Sequence, residues 1–246
     1  MKSEEFATAQ KMKKHIPNMI TCCNLISGCI ATYFAFQGNY YEALLFIVIG
    51  AVFDFFDGMT ARLLHVSSPI GKELDSLADN ITFGFAPSAI AFSWINAQST
   101  NCAVCSVQCA LPYLAFIIAA FSALRLAKFN LDERQALGFI GLPTPANALF
   151  WGALIASLNF HTALEPNQIP GYWLYIILAI IPVSCYLLIS EIPMFALKFK
   201  TWGWRGNEVK YIFILSCIPL LLLLGVMGIA ACIAWYIVLS IINNHH

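Results

Sequence analysis

Four aspartates lie in or beside strongly apolar segments, where a membrane helix normally avoids charge. Asp54 and Asp57 are three residues apart after an uncharged run over 43–53, and Asp75 and Asp79 are four apart further on. At these spacings each pair shares one face of a helix. Four converging carboxylates repel one another, and a hard divalent cation relieves the repulsion because it prefers carboxylate oxygens and usually binds together with phosphate. The pattern therefore predicts a Mg²⁺ or Mn²⁺ site made by Asp54, Asp57, Asp75 and Asp79.

Small side chains and one arginine accompany the first acidic pair. Gly58 and Ala61 share the helix face of Asp54 and Asp57, and Arg62 follows directly. Small residues let a ligand or another helix approach the backbone closely. Helix packing explains the small residues singly, and capping or solvation explains single acids. Neither explains the whole set within one hairpin.

Composition places these residues in a membrane protein. The 246 residues are 60% hydrophobic and only 11% charged, whereas a soluble domain carries about 25% charged residues. Thirteen basic residues balance thirteen acidic ones, so the net charge is zero and does not indicate a nucleic-acid partner. These values exclude a disordered chain, a soluble enzyme and a single-pass anchor. We expect an all-α, polytopic membrane helical bundle.

Eight segments have the length and apolarity of transmembrane helices. The last two favour a hairpin broken around Gly225 and Gly228 over one long tilted helix. All thirteen basic residues fall on one side of this arrangement, so the positive-inside rule predicts that both termini and the acidic residues face the cytoplasm, in the cell membrane. The predicted spans are 17–37, 40–64, 77–96, 110–128, 144–160, 171–190, 210–224 and 226–242.

The acidic hairpin resembles the signature of a known family. It reads Asp54-x2-Asp57-Gly58-x2-Ala61-Arg62-x8-Gly71-x3-Asp75-x3-Asp79, and it is similar at every fixed position to the CDP-alcohol phosphatidyltransferase family. Members of that family transfer a phosphatidyl group from a CDP-linked lipid to an alcohol and release CMP. The resemblance implies that the four aspartates bind metal and that Asp79 is also the general base.

The resemblance also implies the nucleotide contacts. Gly58 and Ala61 would make room for cytidine, and Arg62 with Gly71 would hold the nucleotide and diphosphate. Asn18 would contact the nucleotide, unless it only caps its helix. A homodimer among membrane lipids is implied as well. The full set of expected CDP-lipid contacts is Asn18, Thr21, Gly58, Ala61, Arg62, Gly71 and Lys72.

Segments outside the signature resemble the type II phosphatidylserine synthases of this family, which implies CDP-diacylglycerol and L-serine as substrates. Serine carries a carboxylate, so its pocket needs a cation. Arg125 and Lys128 are three apart on one helix face, with Asn130 just beyond, and these are the candidate serine contacts. Positive-inside anchoring is the alternative for each cation, and such synthases commonly have Arg where this chain has Lys128. The similar segments are 17–24, 79–87, 125–130 and 139–146, with a weaker echo at 190–200.

The domain organisation follows from the same reading. Residues 1–15 form a cytoplasmic juxtamembrane segment, which is either a short helix on anionic headgroups or a frayed basic tail. Residues 16–160 form the catalytic core, and 161–242 add further helices to the same domain. Cys102, Cys105 and Cys109 lie in a polar loop without a nearby His, a poor zinc site, and can form a disulfide if the loop faces an oxidising compartment.

Two other functions compete with serine transfer. The same family includes synthases of phosphatidylglycerophosphate and of phosphatidylinositol or its phosphate, whose acceptors carry a phosphate or are polyols. A membrane cation transporter would also place acids within the bilayer, but it would spread polar groups along a path across the membrane. Here the acids lie on one side.

Overall fold

The computed structural model describes residues 15–66, 68–100, 110–132, 139–164, 172–195, 203 and 207–243. Two expectations fall outside these residues. One is the conformation of the juxtamembrane segment, and the other is the pairing of the three loop cysteines.

The described residues form helices almost throughout. Helix α3 continues without interruption through a π-helical turn, Asn80–Phe85, into α4, and a 3₁₀ turn, Leu111–Ala115, leads into α5. The α-helices are α1 (His15–Phe36), α2 (Tyr40–Leu63), α3 (Pro69–Asp79), α4 (Ala86–Thr100), α5 (Phe116–Leu131), α6 (Thr144–Leu164), α7 (Tyr172–Ile189), α8 (Glu208–Leu224) and α9 (Met227–Asn243).

Within the described ranges, four helical stretches are long and apolar enough to cross a membrane. They are α1, α2, the combined 3₁₀ and α5 stretch Leu111–Leu131, and α7. Helix α9 is apolar but shorter. The prediction of an all-α polytopic membrane bundle is thus confirmed. The number of eight spans and the cytoplasmic placement of the termini remain predictions.

The third predicted span begins earlier than expected. It was predicted to start at residue 77, but α3 begins at Pro69. Ser68 caps this helix, since its side chain accepts a hydrogen bond from the Gly71 amide at 3.0 Å, and proline favours the first helical position. The charged residues of α3 interrupt the apolar pattern, so a search for apolar runs misses the start of this helix. It therefore brings Asp75 and Asp79 to the site on a continuous helix.

The last two helices form the expected hairpin. Gly225 adopts a positive φ of 56° between α8 and α9. A Cβ on Gly228 would lie 2.6 Å from the Leu220 carbonyl oxygen, so only glycine permits this close approach. Further along, the indole of Trp235 donates to Ser216 Oγ at 2.9 Å. The two helices therefore pack against each other, and the hairpin prediction is confirmed.

A short β-ladder, which the sequence analysis did not predict, joins two distant loops. Strand β1 (Phe139–Ile140) pairs antiparallel with β2 (Pro193–Met194). Gly141, at φ 75°, donates its amide to the Ile192 carbonyl at 2.9 Å. Leu142 donates to the Leu187 carbonyl at 2.9 Å. The ladder thus fixes the chain that follows α7.

Close packing around Thr82 brings the acidic helices together. The Thr82 hydroxyl donates to the backbone carbonyl of Asn24 in α1 at 3.0 Å. A Cβ on Gly28 would lie 2.8 Å from Thr82 Cα, and one on Gly50 would lie 2.5 Å from Thr82 Cγ2. Helices α1 and α2 can therefore approach the π-helical turn only because both positions are glycine. This contact places the end of α3, with Asp79, beside α2.

Candidate active site

The predicted acids converge in space. Carboxylate oxygens of Asp54 and Asp57 in α2 and of Asp75 in α3 all lie within 4.8 Å of one another. Asp57 is buried, and the other two are half-buried. Asp79, one turn beyond Asp75, is close enough to interact electrostatically with Asp54 and Asp75. The two pairs that the sequence placed on separate helix faces therefore form one cluster.

Two side chains of α1 bind these carboxylates directly. The Thr21 hydroxyl donates to Asp57 Oδ2 at 2.6 Å, and the Asn24 amide donates to Asp79 Oδ1 at 3.1 Å. Both α1 residues are buried. Asn24 was not among the predicted site residues. Its spacing of three from Thr21, and of six from Asn18, was the signal that places all three on one face of α1.

The acidic cluster has the donor set of a divalent-metal site. Three carboxylates with clustered oxygens suit a hard cation, which binds oxygen ligands. Asp75 Oδ1 is buried without a hydrogen-bond partner among the residues that the structure describes, and such atoms are rare unless a bound species satisfies them. A cation here would supply that partner and offset the repulsion among the acids. Asp54, Asp57 and Asp75 could thus hold a divalent metal ion.

A cavity of about 260 Å³ adjoins the cluster, and we call it the hairpin cavity. Asp57 and Asp75 form part of its wall. The exposed Arg62 is not part of that wall, and its Nε donates to the Gly58 carbonyl at 3.0 Å. The other six predicted CDP-lipid contacts all line the cavity: Asn18, Thr21, Gly58, Ala61, Gly71 and Lys72.

The two glycines of this cavity differ in what surrounds them. A Cβ on Gly71 would lie 2.9 Å from Asn18 Oδ1 and 3.0 Å from Ser68 Oγ, so protein neighbours require its small size. A Cβ on Gly58 would have Arg62 Nη2 as its nearest neighbour, at 4.0 Å. Protein packing therefore does not require glycine at position 58. The open space beside it is available to a ligand.

A second cavity, of about 360 Å³, lies between the ends of α5 and α7, and we call it the α5–α7 cavity. Arg125 is buried there at 7% exposure, and its Nε has no hydrogen-bond partner within the described part of the chain. Its guanidinium also interacts electrostatically with Asp79, so it connects this cavity with the acidic cluster. The polar residues of the lining are Arg125, Lys128, Asp132, Ser190 and Glu191.

Asn130 has a different position from the two predicted serine-binding cations. Its amide donates to Ser76 Oγ at 2.7 Å, and its carbonyl accepts from Lys72 Nζ at 3.3 Å. It is not part of the α5–α7 cavity lining. Asn130 thus ties the end of α5 to α3. Among the cavity residues, Asp132, Ser190 and Glu191 were not predicted as site residues, although 190–200 had shown a weak echo of the family.

Comparisons of the sequence with known proteins identify the family of this chain. The model of the family described as CDP-alcohol phosphatidyltransferase matches residues 14–182, which is more than half of the chain. Three similar proteins are each named CDP-diacylglycerol–serine O-phosphatidyltransferase. The protein of Bacillus subtilis (strain 168) is 40% identical over 59% of this chain and 76% of its own length.

Two further relatives extend the similarity over more of the chain. The protein of Helicobacter pylori (strain 26695) is 29% identical over 92% of this chain and 90% of its own length. The protein of Methanocaldococcus jannaschii is 31% identical over 80% of this chain and 94% of its own length. With the family model matching both the acidic hairpin and the helices around it, the chain belongs to the CDP-alcohol phosphatidyltransferase family.

Proposed function

We propose that this protein is an enzyme that transfers the phosphatidyl group of CDP-diacylglycerol to L-serine, giving phosphatidylserine and CMP. The observation that carries the proposal is the convergence of Asp54 and Asp57 of α2 with Asp75 of α3, with Asp79 one turn further on, beside a cavity lined by small and polar residues. Similar proteins named for this reaction, over most of the chain, support serine as the acceptor.

The acids of the cluster have separate roles in this proposal. Asp54, Asp57 and Asp75 hold Mg²⁺ or Mn²⁺, with Asp79 as a further ligand. When bound, the metal neutralises charge on the diphosphate as the transition state forms. Thr21 keeps the Asp57 carboxylate in place through its 2.6 Å hydrogen bond.

The hairpin cavity would receive the cytidine diphosphate. Gly58 and Ala61 leave room for the nucleotide, and Asn18 and Thr21 offer polar groups from α1. Lys72 contributes positive charge near the phosphates. Arg62 would meet the nucleotide from outside the cavity wall after exchanging its bond to the Gly58 carbonyl. Gly71 acts indirectly, since it allows Asn18 to approach α3.

Asp79 is the proposed general base. It removes the proton from the serine hydroxyl as that oxygen bonds to the phosphorus that carries diacylglycerol. The bond from this phosphorus to the oxygen of CMP breaks, and CMP leaves with the electron pair. The hydrogen bond from Asn24 orients the Asp79 carboxyl group for this transfer. Positioning matters more than basicity here, because the proton moves as the oxygen becomes bonded to phosphorus.

The serine carboxylate is assigned to the two cations of the α5–α7 cavity. Arg125 lines that cavity and also interacts electrostatically with Asp79, so an acceptor held by Arg125 would have its hydroxyl near the base. Lys128 lies on the same helix, one turn further on. Asn130 supports both residues by tying α5 to α3.

A substrate panel tests the proposal. Purified protein in detergent is given CDP-diacylglycerol, Mg²⁺ or Mn²⁺, and either serine, glycerol 3-phosphate or inositol. We expect CMP release and a new lipid product with serine, at a rate at least tenfold above that with either other acceptor. Faster CMP release with glycerol 3-phosphate or inositol would identify that compound, and not serine, as the acceptor. Metal uptake into proteoliposomes, with no CMP release under any condition, would favour the transporter.

A matched pair of variants tests the base. Asp79→Asn should lower kcat by roughly 100- to 10,000-fold, the usual contribution of a general base. Glu42→Gln, in the first turn of α2 at the opposite end of that helix from Asp54, should leave kcat unchanged. CDP-diacylglycerol should still raise the unfolding temperature of Asp79→Asn. If this variant kept more than a few per cent of wild-type activity, Asp79 would not be the base.

The membrane arrangement and the assembly are also part of the proposal. The one-sided distribution of basic residues supports an active site facing the cytoplasm in the cell membrane. Fluorescent-protein fusions at both termini, which mature only in the cytoplasm, should fluoresce. The family resemblance supports a homodimer, and mass measurement of the protein in lipid nanodiscs should give two chains per particle.

A further inference from the structure

The α5–α7 cavity contains both signs of charge. Arg125 and Lys128 bring two cations from α5, and Glu191 brings a carboxylate from the chain that follows α7. Asp132 lies at the end of α5 in the same lining. A phosphate-bearing acceptor would need only the cations, and a neutral polyol would need neither. A free amino acid near neutral pH carries one carboxylate and one ammonium group, so it matches a lining with both charges.

The buried cation is placed to bind a ligand. Arg125 is 7% exposed, and its Nε has no hydrogen-bond partner among the described residues. A buried, unsatisfied donor is costly, so a ligand carboxylate that fills this position gains binding energy. Since Arg125 also interacts electrostatically with Asp79, a carboxylate bound to Arg125 would keep the rest of a small ligand near the acidic cluster.

The β-ladder holds in place the segment that carries the negatively charged Glu191. Ser190 and Glu191 directly follow α7, and the amide of Gly141 donates to the next carbonyl, that of Ile192, at 2.9 Å. Gly141 adopts a φ of 75°, and a Cβ there would lie 2.9 Å from the carbonyl oxygens of both Leu188 and Ser190. The turn therefore requires glycine for two reasons, namely its positive φ and the close approach of these two carbonyl oxygens. It fixes where Glu191 enters the cavity wall.

We propose that the α5–α7 cavity binds an α-amino acid as a zwitterion, with Arg125 and Lys128 on its carboxylate and Glu191 on its ammonium group. This role deepens the proposed transfer to serine and presupposes it. Glu191 is thereby a specificity-determining residue. It selects an acceptor that has an amino group and does not take part in the transfer of the phosphatidyl group.

The test compares serine with glycerate, which has a hydroxyl group in place of the ammonium. With wild-type protein and saturating CDP-diacylglycerol, kcat/KM for serine should exceed that for glycerate by at least tenfold. Glu191→Gln should raise KM for serine roughly tenfold to a hundredfold, the range for a lost hydrogen bond to a charged group. Its KM for glycerate should change little, so the preference for serine should collapse. KM for CDP-diacylglycerol should not change.

Three controls keep the outcome specific. Glu191→Asp retains the charge on a shorter side chain and should recover part of the preference for serine. Glu208→Gln, in the first turn of α8 and outside the cavity lining, should behave as wild type. Gly141→Ala displaces the turn, so it should raise KM for serine more than KM for CDP-diacylglycerol.

The two proposals fail differently. If wild-type protein uses serine but Glu191→Gln keeps the wild-type preference over glycerate, the role of Glu191 is overturned and transfer to serine stands. If wild-type protein uses serine and glycerate within threefold of each other, ammonium recognition is overturned without any variant, which covers the case in which Glu191→Gln does not fold. If serine is no acceptor at all, the transfer reaction itself is wrong.

Discussion

The amide of Asn24 donates a hydrogen bond to Asp79 Oδ1 at 3.1 Å, across 55 residues of sequence. Asn24 lies in α1, outside the acidic hairpin, and is fully buried. Its backbone carbonyl accepts a hydrogen bond from the Thr82 hydroxyl, so both the side chain and the backbone of Asn24 are held in place. The proposed base is therefore oriented by a helix that contributes no acid to the cluster.

Replacing Asn24 should impair the chemical step more than substrate binding. Asn24→Ala removes the donor to Asp79, and we expect kcat to fall roughly tenfold to a hundredfold, as for a lost hydrogen bond to a charged group. KM for CDP-diacylglycerol should stay within about twofold. Ser27→Ala is the matched control, since this buried hydroxyl of α1 donates to the Cys23 carbonyl of its own helix at 2.8 Å. Equal kcat values for the two variants would contradict a role for Asn24 in orienting Asp79.

Replacing Thr21 should weaken metal binding. Thr21→Val keeps the shape of the side chain but removes the hydroxyl that donates to Asp57 Oδ2 at 2.6 Å. Without that donor the Asp57 carboxylate is less well positioned, so the Mg²⁺ or Mn²⁺ concentration for half-maximal activity should rise about tenfold. Binding of Mn²⁺, followed by electron paramagnetic resonance, should weaken in parallel. In Thr32→Val, which loses only a bond to the Gly28 carbonyl, both values should be unchanged. An unchanged metal requirement in Thr21→Val would contradict the prediction.

Gly58 offers a test that separates ligand binding from folding. Apart from the backbone of its own helix, the nearest described atom to a Cβ at this position is Arg62 Nη2, at 4.0 Å, so Gly58→Ala should fold with a wild-type unfolding temperature. If the nucleotide occupies that space, the added methyl group should raise KM for CDP-diacylglycerol at least tenfold. Steady-state kinetics and thermal unfolding in detergent provide both measurements. Wild-type kinetics in Gly58→Ala would place the nucleotide elsewhere.

Gly28 should show the opposite behaviour. A Cβ there would lie 2.8 Å from Thr82 Cα, and backbone atoms cannot move aside as a flexible side chain can. Overpacking of this kind costs about 1–3 kcal/mol, so Gly28→Ala should unfold several degrees below wild type. The same substitution at Gly58 is the control. An unfolding temperature of Gly28→Ala equal to that of Gly58→Ala would mean that α1 does not pack against the π-helical turn as described.

The acidic cluster could be predicted from the sequence because its pattern is local. Asp54 and Asp57, and likewise Asp75 and Asp79, share helix faces through spacing alone, and charges in apolar helices have few structural explanations. Apolar length likewise predicted helices, since a segment that crosses a bilayer must satisfy its own backbone hydrogen bonds. The glycines at 225 and 228, between two short apolar runs, predicted the hairpin between α8 and α9 for an equally local reason, and Gly225 adopts a positive φ there.

How distant segments combine could not be predicted from local spacing. Asn24 reaches Asp79 because Gly28 and Gly50 allow α1 and α2 to approach Thr82, a contact that no spacing within one helix encodes. Glu191 joins Arg125 in one cavity because a two-residue ladder, too short to have a strand pattern, ties the chain after α7 to Gly141. Side chains from separate helices meet according to how those helices pack, and packing depends on the shapes of all the surfaces in contact.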